Sequence, residues 1–144
     1  EKTARSLPKG GPKVTVFRIP ALFSEKRTAG LLHKIKNYFK KREKLELALN
    51  FSVWHPMYTG RVAALFTTIV GKEAEENLIT LGYPMEVTIE RILEVAEKAF
   101  QYSIPIDILS SLTDHYTPDL TVQNHYDGLT AEDFDQDLAL YFKK

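Results

Sequence analysis

Two histidines and several carboxylates gather in one stretch of the sequence: Asp114-His115-Tyr116, then Asp119, then Asn124-His125-Tyr126-Asp127. Imidazole and carboxylate are donors that zinc and similar ions accept. The spacing matches no zinc motif, because no His pairs with a second His or a Glu at helical spacing. The acidic loop also lacks the alternating ligand positions and central glycine of a calcium hand. These residues therefore read as polar loop groups that cap neighbouring helices, and no metal site is expected. Ser110 or Ser111 with His115 and an aspartate has the composition of an acyl-transfer triad, but no Gly-x-Ser-x-Gly elbow presents either hydroxyl. Gly10-Gly11, flanked by lysines, lacks the Gly-x-x-x-x-Gly-Lys spacing and the preceding strand of a phosphate loop. With no Cys in the chain, thiolate chemistry and disulfides are excluded. Glu75-Glu76 and the trio Asp133, Asp135 and Asp137 fall where solvated helix faces and first turns place carboxylates. Trp54 and His55 read as core and turn residues. No catalytic residue, cofactor or small-molecule substrate follows, and the chain reads as a protein that is not an enzyme.

Charge is the stronger signal. Thirteen of the nineteen Lys and Arg residues lie in the first 44 positions, opposed only by Glu1, Glu25 and Glu43. The first 44 residues therefore carry +10 and the rest −10, beneath a formal net charge of zero. Between Ala99 and Phe142 there is no Lys or Arg, while eight Asp and Glu accumulate. A cationic segment this dense calls for a polyanion or an acidic surface.

The elements that would position these charges follow from periodicity. At 144 residues the chain has the size of one domain, and no apolar run approaches the roughly 18 residues that span a bilayer. Residues 1–20 hold Pro8, Gly10, Gly11, Pro12 and Pro20 and read as an extended basic arm. The Val14–Phe17 run is able to pair as a strand but reads better as chain lying along a partner. A helical domain over 21–144 follows. Its first element is a basic amphipathic helix over 21–55, with Leu31, Leu32, Ile35, Tyr38 and Phe39 on one arc and lysines opposite. Past Lys44 that helix turns apolar all round, which predicts burial, and Pro56 stops it.

The acidic body over 57–144 is expected to hold a helix over about 59–81 with Thr59 as N-cap and Gly71 as a kink. A second runs over about 85–102 with Ile89, Ile92, Leu93, Ala96 and Phe100 inward. A short helix follows Ile104-Pro105, residues 114–129 form a loop, and a last helix is opened by a capping box of Thr130 and Asp133. The expected fold is all-α: an antiparallel bundle of four to five helices behind an extended basic N-terminal arm.

On that plan the arm and first helix grip phosphates through Lys2, Arg5, Lys9, Lys13, Arg18, Lys26, Arg27, Lys34, Lys36, Lys40, Lys41 and Lys44. Lysine acts on a backbone as a point charge and reads no bases, so the expected function is sequence-nonspecific coating of nucleic acid, with duplex DNA favoured. The acidic half offers a docking surface for the basic half of another copy, giving self-assembly into a filament or ring. The basic arm from Arg5 to Lys13, the basic helix from Lys26 to Lys44 and the helical pack behind them together resemble the major capsid proteins of filamentous viruses of hyperthermophilic archaea. That resemblance implies a DNA-facing role for the basic residues, an outer wall built from the helical pack, and a place in a virion. The alternatives are an RNA-associated or ribosomal helical protein in the cytoplasm, and a helical adaptor whose basic segment docks on an acidic partner.

Overall fold

The computed structural model describes residues 14–51, 54–71, 78–114 and 128–144. Along them run β1 (Val16–Arg18), β2 (Leu22–Phe23), α1 (Leu31–Lys41), β3 (Leu45–Phe51) and β4 (Met57–Tyr58). These are followed by α2 (Thr59–Gly71), β5 (Leu78–Thr80), α3 (Ile89–Phe100), β6 (Ile106–Asp114) and α4 (Ala131–Lys143). The strands pair as β1 with β5, β2 with β4 and β3 with β6, and every pair is parallel. A parallel pair cannot be closed by a tight turn and needs a crossover, and here helices lie in the intervening chain. The all-α antiparallel bundle is thereby corrected to an α/β fold with parallel sheets.

Each departure from the expected elements has a local cause. The helix predicted over 21–55 is confined to Leu31–Lys41, between two strands. In β3, Leu45, Leu47 and Leu49 are buried while Glu46 and Ala48 are exposed, which is the period of two of a half-buried strand. The same leucines also fit a wholly apolar helix, and that ambiguity produced the error. Their partner strand begins 61 residues later, with Leu45 opposite Ile106 and Leu47 opposite Ile108, so the run read as a short helix after Pro105 is β6. Gly71 is the last described residue of α2, and Leu78–Thr80 forms β5 against the Val16–Arg18 stretch of the expected arm.

Two helices match their sequence patterns. In α3, Ile89, Ile92, Leu93 and Ala96 are buried, and Thr88 caps the start by accepting from the Arg91 N–H. In α4 the Thr130–Asp133 capping box is complete in both directions. Its buried Phe134, Leu138, Tyr141 and Phe142 pack the helix against α3. An aromatic seam closes this side of the core, with Phe39 stacked on Phe100 at 5.3 Å and Phe100 beside Phe142 at 6.1 Å.

Charged side chains fasten α4 to the body. Asp137 is only 6% exposed and accepts from the Tyr83 hydroxyl at 2.7 Å and from Arg61 Nε at 2.8 Å. Arg61 also reaches Asp133 at 2.9 Å, and Arg91 holds Asp135 through two nitrogens at 2.9 and 2.7 Å. The aspartate trio read as solvated is therefore an anchoring row, one member per arginine contact from α2 or α3. Burial and the Asp137 carboxylate push the Tyr83 phenol far above its ordinary pKa.

Candidate functional site

The site is built where the chain leaves β2. A turn brings the Arg27 N–H onto the Ser24 carbonyl at 3.1 Å. The Arg27 guanidinium then bonds back to the Leu22 carbonyl and forward to the Ala29 carbonyl at 3.2 Å. This closes residues 22–29 into a ring of main chain around one cation. Gly30 follows with φ 94 and ψ −179, a conformation essentially restricted to glycine, and α1 begins directly after it. No side chain caps α1 and its first turn holds no acid. Neither a cap nor a first-turn carboxylate therefore offsets the positive end of the helix dipole there.

A notch sits against this helix start. It is lined by Leu22, Phe23, Arg27, Ala29, Gly30, Leu31, Leu32, Trp54 and Tyr141 and encloses about 30 Å³. That is room for a water or two, far below the roughly 300–1,000 Å³ of a pocket that swallows a whole ligand. A ligand would lie across its mouth with one small group inserted. The apolar walls come from β2, from the start of α1 and from Trp54, while Tyr141 brings in the end of α4.

Charge around the notch is mainly positive. The Lys36 ammonium, on a side chain only 8% exposed, donates to the Tyr141 carbonyl at 2.7 Å and sits 4.6 Å from the Tyr141 ring centre. Burial lowers its pKa, Lys40 lowers it further, and Glu25 opposes both. Lys144 Nζ lies 3.1 Å from Glu25, whose carboxylate also accepts from the Tyr58 hydroxyl at 2.7 Å. The backbone N–H of Glu25, then Tyr58 and Lys144, hold this carboxyl down at about 2. A helix start with no side-chain cap and no acid in its first turn, with Arg27 in the lining beside it, suits an anionic group.

One expected result follows for stability. The folded pKa of Glu25 lies below its ordinary 4.5, so its contribution is complete above pH 4.5 and drains away as pH falls toward 2. Because the carboxylate is partly solvated, its share is about 1 kcal/mol. Glu25→Gln should therefore flatten the acid limb of a Tm-versus-pH curve between pH 4.5 and 2 and leave its slope above pH 5 unchanged.

The residues predicted to grip phosphate are dispersed. Lys2, Arg5, Lys9 and Lys13 lie outside the described residues, as do the metal candidates from His115 to Asp127. Arg18 is exposed on β1, and Lys26, Lys40 and Lys41 are exposed. Lys34 donates to the Glu46 carbonyl at 2.7 Å, and Lys44 pairs with Asp107 and Glu46. Of the twelve, Arg27 lines the notch, and Lys36 bears on it through its bond to the carbonyl of Tyr141, a lining residue. No group of three or more His, Asp or Glu able to hold a metal occurs among the described residues. Sequence reasoning missed Gly30, Glu25, Trp54 and Tyr141. The one sequence signal for the site was Gly30 standing before an apolar-periodic run where Ser, Thr or Asp would be usual.

No protein-family model matches the sequence, and no curated protein matches it. Solved structures do match. The UDP-glucuronic acid 4-epimerase of Bacillus cereus, solved with UDP-glucuronic acid and NAD, has a TM-score of 0.67 at 15% identity, over 91% of this chain and 45% of its own. The dTDP-glucose 4,6-dehydratase of Bacillus anthracis, solved with NAD, has a TM-score of 0.71 at 14% identity, over 90% and 44%. An NAD-dependent NDP-hexosamine 5,6-dehydratase of tunicamycin biosynthesis has 0.67 at 11%, over 98% and 49%. The chain thus spans about half the length of the structures it resembles. These matches overturn the capsid resemblance, because the fold they share has parallel strands and is not a pack of helices. The nucleic-acid-packaging function and the nucleic-acid and self-assembly partners rested on the helical plan and are withdrawn with it. The exclusion of enzymes is corrected as well, for the chain has the Rossmann-like fold seen in NAD-dependent sugar-nucleotide epimerases and dehydratases.

Proposed function

We propose that this chain forms the sugar-nucleotide-binding side of an epimerase- or dehydratase-like enzyme and holds the ligand's diphosphate at the start of α1. The observation that carries the reading is the coincidence of two features at one place. A chain that superposes on sugar-nucleotide enzymes along about nine-tenths of its length carries an uncapped helix N-terminus flanked by a cation and an apolar notch. Helix starts bind phosphates because their N–H groups and dipole point at the anion, and Arg27 adds the complementary charge. Trp54, Leu22 and Leu31 supply apolar surface for the flat part of the ligand.

The dinucleotide belongs elsewhere on this reading. No Gly-x-Gly-x-x-Gly run occurs in the 144 residues, and the strands described form three separate pairs where a dinucleotide site needs one continuous sheet and a strand-to-helix glycine turn. The residues present do not fit NAD, and no chemical step through it is assigned to them. On this reading the residues present orient the sugar nucleotide.

Calorimetric titration of the chain with UDP, UDP-glucuronic acid and NAD tests the proposal. Both uridine nucleotides should bind and NAD should not. Failure of either uridine nucleotide to bind, or binding of NAD with comparable affinity, would reject it.

A further inference from the structure

The notch has two walls of different origin, the Ser24–Arg27 turn and the end of α4, and one side chain touches the supports of both. Glu25 stands in the turn two residues before Arg27. Its Oε1 accepts from Tyr58 of β4 and from Lys144, which directly follows α4. Tyr58 is itself fixed, since its ring packs on Phe23 at 5.6 Å, and Phe23 meets Tyr141 edge-on at 5.9 Å. Arg27 ties the turn inward through the Leu22 and Ala29 carbonyls. No bond among these crosses from the turn to α4 except through Glu25.

Resting on the functional reading above, we propose that Glu25 is the positioning residue of the anion notch: through Tyr58 and Lys144 it holds Arg27 and the Tyr141 end of α4 on either side of the α1 N-terminus. The residue does not touch the ligand, and like charge would keep its carboxylate away from a diphosphate. The two supports are unequal. Lys144 is well exposed, and exposed ion pairs hold weakly. The phenol-to-carboxylate bond is partly buried and charge-assisted, which is the stronger kind. Tyr58 therefore carries most of the restraint.

The test uses the full chain and the variants Glu25→Gln, Tyr58→Phe and Lys144→Ala, each first shown by its Tm and circular dichroism to be folded. Without ligand, the Arg27 Nε–H should give a protected NMR signal in the wild-type chain and in Lys144→Ala, and should lose that protection in Glu25→Gln and Tyr58→Phe. UDP affinity should fall about tenfold in the latter two, the size of one lost charge-assisted hydrogen bond, and little in Lys144→Ala. An unchanged Arg27 signal in both Glu25→Gln and Tyr58→Phe, or undiminished UDP affinity in them, overturns the inference. If the wild-type chain binds no UDP, the functional reading fails by itself, and the ligand-free Arg27 signal still decides whether Glu25 positions the turn.

Discussion

Replacing Asp137 by alanine should cost about 3 kcal/mol, the largest effect of any single charge removal among the described residues. The carboxylate is buried, and its loss leaves the Tyr83 hydroxyl, in a side chain 2% exposed, with no acceptor for its proton and only the long bond it accepts from the Tyr58 N–H at 3.4 Å. A buried hydroxyl whose proton has lost its acceptor costs about 1–3 kcal/mol. Arg61 is less affected, because it is partly solvated and keeps Asp133, which holds the total below the upper range for broken buried pairs. For a chain of this length the loss corresponds to a fall in Tm of roughly 10 °C. Thermal unfolding of Asp137→Ala, alone and combined with Tyr83→Phe, checks the mechanism. The double variant should be less destabilised than the two single losses added together, because Tyr83→Phe removes the hydroxyl proton that Asp137→Ala leaves without an acceptor.

Substituting Gly30 by alanine should lower stability by about 2 kcal/mol through the backbone alone. A Cβ placed there meets only Arg27 side-chain atoms, the nearest at 3.6 Å, so crowding contributes almost nothing. The cost comes from φ 94 with ψ −179, a region that L side chains avoid. Relaxing that strain would rotate the peptide entering α1 and turn its leading N–H groups away from the notch. Gly30→Ala should therefore lose both melting temperature and UDP affinity, whereas Thr28→Ala, exposed and outside the notch lining, should leave the affinity nearly intact. Calorimetry and thermal unfolding of the two variants separate these outcomes.

How much of this was legible in the sequence depended on how local each interaction is. The capping box of α4 and the buried stripe of α3 are written within four residues of one another, and both were readable. The strands β2, β4 and β5 are two or three residues long, too short to display a period, and their stability comes from pairing with distant chain. In β3 the alternation of Leu45, Leu47 and Leu49 was visible, but the same spacing satisfies a buried helix, and only its partner at Ile106 settles the choice. The aspartates of α4 looked solvated because Arg61 and Arg91, which bind them, belong to other helices. The cationic first 44 residues looked like one binding face for the same reason. Nothing in their spacing shows that Lys36 is spent on the Tyr141 carbonyl and Lys34 on that of Glu46. Of the site itself, Arg27 stands in the sequence as one of many cations, with nothing to set it apart from Lys26 beside it. Gly30 acquires its meaning only from a dihedral angle.

The most direct test of the central claim is the response of individual backbone amides to UDP. In a 15N-resolved NMR titration, the N–H signals of Leu31, Leu32 and His33 should shift most, followed by the Arg27 side chain, with no comparable response to NAD. Shifts confined to other parts of the chain, or none at all at saturating UDP, would contradict the account.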